Sequence, residues 1–340
     1  MGTILIILVA LLVFGLLVVF HEFGHFGVAK LVGIKVHEFA IGMGTRILKV
    51  KGKETEYSIR ILPIGGYVKM EGEDEHSKDE RSFNNKPIWA RILVIVAGPV
   101  MNFVLAIFLF TMMFYMMGFP TNRPIVGEII PDFPAQIAGI EAGDEIISIS
   151  GKEMDTWEKI VETIHENKDK DLRIKIRRDG EEKNFSIKSR VNEGTKQFMI
   201  GISPTLEKSF IKSFTNSFSK TIDVIKEMIG FFGKLFSGSA SAKDVVGPVG
   251  IIYLVGEAAK TNIYYVLHLA GLISVNLGVV NLLPIPALDG GRLVFLMIEG
   301  LTGKPLDPEK EGFVHFTGFV LLMGLMLFMV YKDIVRFNLF

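Results

Sequence analysis

The chain has 340 residues, 49% of them apolar, with 37 basic and 37 acidic residues and no cysteine. Zero net charge gives no electrostatic footprint for nucleic acid, and the missing thiols remove disulfides, thiolate metal ligands and cysteine nucleophiles together. The charges are too unevenly spread for a purely soluble or a disordered chain, because residues 1–20, 92–122, 261–288 and 312–331 contain no Asp, Glu, Lys or Arg.

A helix needs about 20 apolar residues to cross the hydrocarbon of a bilayer. Each of the four blocks is long enough, and we expect spans at about 2–21, 92–117, 262–283 and 313–331. The first block makes a poor signal peptide, with no Lys or Arg before it and no small-residue cleavage site close behind it. The stretch Lys30–Arg91 has twelve Lys and Arg, and residues 289–311 have three. Positive residues stay in the cytoplasm, which puts these two loops inside and both termini and residues 123–260 outside.

At the end of the first span stands His21-Glu22-Phe23-Gly24-His25, an H-E-x-x-H motif. Two His at i and i+4 share a helix face and can hold one Zn²⁺ at about 2.0–2.1 Å. Glu22 lies beside that face, placed to act as a general base. Three ionisable residues in five are costly at a membrane and need partners, which argues against a chance match. A catalytic zinc needs a third protein ligand. His268 lies near the outer end of its span and reads better as a hydrogen-bonded interfacial residue. His315 begins the last span on the correct side but has no motif around it. Asp289 follows the third span on the same membrane face as the His pair, behind the helix breakers Pro284 and Pro286 and before Gly290-Gly291. An ordinary Asp-Gly turn remains the alternative for Asp289.

These residues resemble the site-2 protease family, and among them the bacterial RseP type. The matches are His21-Glu22-x-x-His25, Leu62-Pro63-x-Gly65-Gly66-Tyr67-Val68-Lys69-Met70, Gly98-Pro99-x-x-Asn102, Gly247-Pro248-Val249-Gly250-Ile251 and Asn281-x-x-Pro284-x-Pro286-x-Leu288-Asp289-Gly290. The resemblance implies a zinc enzyme that cuts peptide bonds inside a bacterial inner membrane, with Asp289 as third ligand beside His21 and His25. It also implies that Asn281 clamps substrate backbone, for which an interhelical hydrogen bond is the alternative. Two departures stand out. Residues 123–205 have room for one PDZ domain rather than a tandem, and a family Gly-Phe-Gly hairpin reads Gly42-Met43-Gly44 here. Asn102 and Pro99 read as packing and kink residues.

In the cytoplasmic loop, Val36–Ile41 alternates like a strand, Gly42-x-Gly44 reads as a turn, and Tyr57–Leu62 and Gly66–Met70 read as second and third strands. A substrate helix hides its carbonyls in its own hydrogen bonds, so it must be unwound before attack. A free sheet edge can receive the unwound segment as an added strand. Gly42, Gly44, Gly65, Gly66, Asn281, Pro284 and Pro286 form the expected substrate-binding set. The acidic cluster Glu71-x-Glu73-Asp74-Glu75 reads as a solvated loop.

Outside, Ile125–Ile130 is a strand and Ala138-Gly139-Ile140-x-Ala142-Gly143-Asp144-x-Ile146-Ile147 resembles the PDZ signature. A helix is expected over Asp155–Asn167, capped by Asp155 or Thr156, with a hairpin across Asp179-Gly180. Such a domain could take a peptide on its sheet edge or act as a lid. Phe210, Ile211, Phe214, Phe218, Ile222, Ile225 and Ile229 recur at helical spacing, an amphipathic helix for the membrane surface or the underside of the PDZ domain, followed by a linker at Ser237–Ser241.

The expected fold class is a polytopic α-helical membrane protein of four transmembrane helices, with a membrane-associated β-hairpin or sheet and one extracytoplasmic α+β PDZ domain. The divisions are 1–32 (first helix), 33–91 (β-rich loop), 92–120 (second helix), 121–205 (PDZ), 206–260 (amphipathic helix and linker), 261–291 (third helix), 292–312 (loop) and 313–340 (fourth helix and tail). The expected activity is zinc-dependent hydrolysis within single-span membrane substrates already trimmed outside, of the anti-sigma-factor or remnant-signal-peptide kind. A non-catalytic PDZ adaptor is the rival. A metal transporter would need a polar path through spans 2 and 4, which offer almost no polar residues.

Overall fold

The computed structural model describes residues 3–73, 77–168, 170–192, 196–239, 246–304 and 307–337. Asp74 and Glu75 of the acidic cluster, His76, and Ala240 and Ser241 of the expected linker lie outside the described residues. The chain forms two compact units, one of Met1–Met113 with Lys212–Phe340 and one of Phe114–Ile211.

The elements run α1 (Thr3–Leu31), β1 (Val36–Lys51), β2 (Glu56–Met70), α2 (Ile88–Met117), β3 (Phe119–Pro120), β4 (Val126–Ile129), α3 (Pro134–Ala138), β5 (Glu145–Ile149), β6 (Lys152–Glu153), α4 (Trp157–Glu166), β7 (Asp171–Arg178), β8 (Glu181–Lys188), β9 (Arg190–Val191), β10 (Phe198–Met199), β11 (Ile202–Pro204), β12 (Leu206–Glu207), α5 (Phe210–Phe236), α6 (Pro248–Thr261), α7 (Ile263–Asn281), α8 (Asp289–Thr302) and α9 (Pro308–Phe337). Of these, α1, α2, α7 and α9 are long and apolar enough to cross a membrane.

In the first unit, Ala10, Val13 and Leu17 of α1 bury against Leu105 and Leu109 of α2 and Val266, Ala270 and Ile273 of α7. Between apolar helices in lipid, close packing replaces water exclusion as the cohesive term, and small residues permit it. Gly24 of α1 is an instance, since a Cβ there would stand 2.2 Å from the Ala97 carbonyl oxygen of α2. A second cluster joins the end of α1 (Ala29), the strands (Val36, Phe39, Val68, Met70), α2 (Val94, Ile95) and α8 (Leu296). Arg91 of α2 grips Glu299 of α8 through both carboxylate oxygens, and both side chains are largely buried. These contacts fix α8, which begins at Asp289, against α1 and α2.

β1 and β2 are two long bent strands rather than three short ones. Gly42 and Gly44, at φ 87° and 84°, take β1 through irregular register instead of ending it in a turn. Ala40 pairs with Tyr67 on one side and Ser58 on the other, so residues 36–41 lie in the interior and Gly66–Met70 form an outer row. The interior carries a buried charge. Glu38 accepts from Ser58 at 2.7 Å, Arg60 at 2.9 Å, Arg46 at 2.9 Å and Tyr67 at 2.7 Å. Burial would raise its carboxyl, but hydrogen bonds from Ser58, Tyr67 and Arg60 and the Arg60 charge outweigh that and hold it at about 2.

Other expectations are corrected. Part of the segment read as a linker is α6, opened by Pro248 in its first turn, where a missing N–H costs nothing. Asp333 of α9 accepts from the Gly247 and Gly250 amides at 3.0 and 2.7 Å and so caps this helix. Part of the 292–312 loop is α8. Glu71 and Glu73 are not merely solvated: Glu71 meets His37 at 2.6 Å and Lys35 at 3.3 Å, and Glu73 pairs with Arg292.

The second unit has its own core of Val126, Ile140, Ile146, Ile149, Ile160, Leu172, Ile174, Ile176 and Ile187. Its main sheet is ordered β6-β5-β7-β8. The β7–β8 turn is Asp179-Gly180, both at positive φ, the geometry an Asp-Gly hairpin favours. Thr156 caps α4 by accepting from the Lys159 amide. Asp144 is buried and receives Arg178 Nε and Nη2, each at 2.7 Å.

Candidate metal centre

The last turns of α1 present His21 and His25 on one face, and the first residue of α8 presents Asp289 to them. His25 Nε2 lies 3.2 Å from His21 Nε2, and Asp289 Oδ2 lies 3.3 Å from the first and 3.5 Å from the second of the His residues, counted along the chain. A tetrahedral ion with bonds of about 2.0–2.1 Å separates its ligands by about 3.3–3.4 Å, so the three atoms have the spacing of one face of such a tetrahedron. Asp289 Oδ2 is buried and makes no hydrogen bond among the described residues. A carboxylate oxygen left so, facing two imidazole nitrogens, has the donor set of a divalent-cation site.

The neighbours of the imidazoles decide which nitrogens are free. His25 Nδ1–H donates to the Val94 carbonyl at 2.8 Å, so Nε2 keeps its lone pair. The Asn102 amide lies 3.1 Å from His21 Nδ1. For His21 Nε2 to be a ligand, its Nδ1 must carry the proton, so Asn102 must turn its oxygen to the ring. Asn102 is fully buried and its backbone carbonyl accepts from Ser274 of α7 at 2.6 Å. The packing role expected of Asn102 is therefore incomplete, because it also orients a candidate ligand. The signal was its place four residues after Gly98 on a charge-free span, where a carboxamide needs a partner. Gly98 has an equally local reason: a Cβ there would stand 2.2 Å from His25 Nε2.

Glu22 packs its side chain against the outer row of the sheet, where a Cβ at Gly66 would lie 2.8 Å from Glu22 Cγ. Gly65, at φ 74°, lies under the Met43 side chain, so Gly42, Gly44 and Gly65 gather around Met43. Asn281 ends α7, half-buried, and makes no hydrogen bond to the triad among the described residues. Pro284 and Pro286 lie in the loop to Asp289, and Pro286 meets Gly318 of α9. An apolar cleft of about 330 Å³ lies there, lined by Pro286, Phe313, Thr317 and Leu321 among others. His268 packs on Phe110 and is not in the cluster.

Two imidazoles one turn apart, a carboxylate brought from a distant helix and a glutamate between the imidazoles in sequence define the class of mononuclear metal hydrolases. The comparisons narrow it. Residues 9–325 match the model of peptidase family M50. A candidate zinc metalloprotease of Clostridium acetobutylicum is 43% identical over 97% of both chains. Zinc metalloprotease RasP of Geobacillus kaustophilus is 34% identical over 97% of both. The regulator of sigma-W protease RasP of Bacillus subtilis is 34% identical, covering 96% of this chain and 97% of its own. That last alignment runs over 411 positions, longer than this 340-residue chain, so the relative carries segments with no counterpart here. A PDZ domain of an SdrC-like protein from Listeria monocytogenes aligns with 25% of this chain and 88% of its own, at 21% identity and a TM-score of 0.22. The chain belongs to peptidase family M50, the site-2 protease family, and is a zinc metalloprotease.

Proposed function

We propose that the protein hydrolyses peptide bonds within the transmembrane segments of single-span proteins at the bacterial inner membrane. Its zinc would be held by His21, His25 and Asp289. The observation that carries this reading is the ligand triangle on the C-terminal part of an apolar helix, with Glu22 beside it and a sheet row running past Glu22 at Gly66. Bound there, zinc supplies Lewis-acid polarisation of the scissile carbonyl and acidifies the attacking water. Glu22 accepts the proton of that water and returns it to the departing amine nitrogen. Residues 66–70 offer backbone hydrogen bonds to an unwound substrate segment, and Gly66 lets that segment approach Glu22. Asn281, Pro284 and Pro286 complete the binding surface, with the apolar cleft beside Pro286 taking substrate side chains. We place the second unit outside the membrane as a single PDZ-type domain, which binds a peptide or screens access. We place both termini outside as well. The name of the Bacillus subtilis relative supports a substrate of the anti-sigma kind.

Glu22→Gln tests the mechanism. With a transmembrane peptide in detergent, turnover should fall by about 10²–10⁴-fold while zinc content stays at the wild-type level. Undiminished cleavage by the variant would favour another base, and no cleavage by zinc-loaded wild type would favour the adaptor reading.

A further inference from the structure

The loop that carries Asp289 is held by the last helix. Ala287, two residues before Asp289, has φ 73°, a left-handed conformation that a residue with a Cβ rarely enters unless it is held there. α9 touches this stretch twice, once at Ala287 and once at Pro286 before it. The Ala287 N–H donates to His315 Nδ1 at 2.9 Å. Three residues further along the same face, Gly318 lies so close that a Cβ there would stand 2.6 Å from the Pro286 carbonyl oxygen. The ring of His315 meets Phe295 of α8 edge-on at 5.4 Å. Accepting at Nδ1 leaves its proton on Nε2, which is buried 3.8 Å from Glu311 and makes no hydrogen bond among the described residues. His315 shares a cleft of about 400 Å³ with Asp289 and Arg292, yet it is not in the ligand cluster.

We propose that His315 is a positioning residue for the metal: by holding Ala287 in its left-handed conformation, it sets the direction in which the Asp289 carboxylate leaves the loop toward His21 and His25. The strain at Ala287 and the α9 clasp are then one device, and the helix that carries no ligand controls the reach of one. This rests on the reading of the triad as the zinc site.

The test is zinc affinity of the full chain in detergent, by competition with a chromophoric chelator, together with thermal midpoints of the same preparations. The proteins are wild type, His315→Ala, Gly318→Ala, Ala287→Gly and the double variant Ala287→Gly/His315→Ala. Zinc binding by the wild type tests the triad itself; none at all would overturn that reading and leave His315 nothing to position. With the wild type loaded, His315→Ala and Gly318→Ala should bind about 10–100-fold more weakly, the usual cost of losing support behind a ligand. Ala287→Gly should bind like wild type, and the double variant should recover most of the His315→Ala loss, because glycine adopts this φ without being held. Wild-type affinity in His315→Ala would overturn the proposal while leaving the triad intact. So would a loss that Ala287→Gly fails to recover, since His315 would then act through general packing.

Discussion

Replacing Gly98 by alanine adds one methyl group where there is no room. Its Cβ would stand 2.2 Å from His25 Nε2 and 2.9 Å from His21 Cε1, where real Cβ contacts do not close below 3.0 Å. Either the His25 imidazole retreats by about 0.8 Å or α1 and α2 part, given that zinc sites tolerate only about 0.2 Å in ligand distance. The ring has little freedom to retreat, because Nδ1–H is bonded to Val94 on the same helix that would carry the new methyl. Parting the helices would open the close packing at Gly24, one residue before His25, and forfeit its dispersion contacts. We expect zinc affinity to fall by about 100-fold or more, at the upper end of what losing ligand support costs. The assay is zinc per chain by mass spectrometry after dialysis against graded chelator. Gly15→Ala, on α1 with open space around it, serves as the control and should keep its metal. Full zinc and wild-type turnover in Gly98→Ala would refute the assignment of His25 as a ligand in this geometry.

The Glu38 cluster predicts a pH response. Its folded carboxyl is at about 2, below the ordinary value of 4.5, so its stabilisation is complete above about pH 5 and drains away as pH falls toward 2. Hydrogen exchange across residues 36–70 should quicken over that window, beyond its intrinsic pH dependence, and Glu38→Gln should lose the extra response; equal behaviour in both would refute it. In the second unit, Arg178→Ala would strand the buried Asp144, whose carboxyl burial would raise but Arg178 and the Glu141 amide hold below its usual range. A cost of about 3–5 kcal/mol follows, lowering the melting temperature of that unit by about 12 °C or more, and calorimetry of the full chain would show it.

Much of the site was legible because its chemistry is local or its signals are strong. His21 and His25 are bound to one face by the helix period, and the charge-free spans put Asp289 on the same membrane side without reference to any ligand role. What was hidden depends on packing between helices. Nothing near Asn102 in sequence names His21 as its partner, 81 residues away, and nothing near His315 names Ala287. Gly42-x-Gly44 looks like a turn from composition, since glycine serves a turn and a bulge equally, and only pairing of residues 36–41 on both sides shows the bulge. α6 is hard to read because the linker composition before it masks the Pro248 start signal, and its cap, Asp333, comes from a helix far along the chain.

The most direct test of the central claim is zinc per chain in detergent-purified wild type beside Asp289→Ala. The account predicts about one zinc in the wild type and much less in the variant, at equal folding by circular dichroism. A well-folded wild type without zinc, or an Asp289→Ala protein that keeps its zinc undiminished, would contradict it.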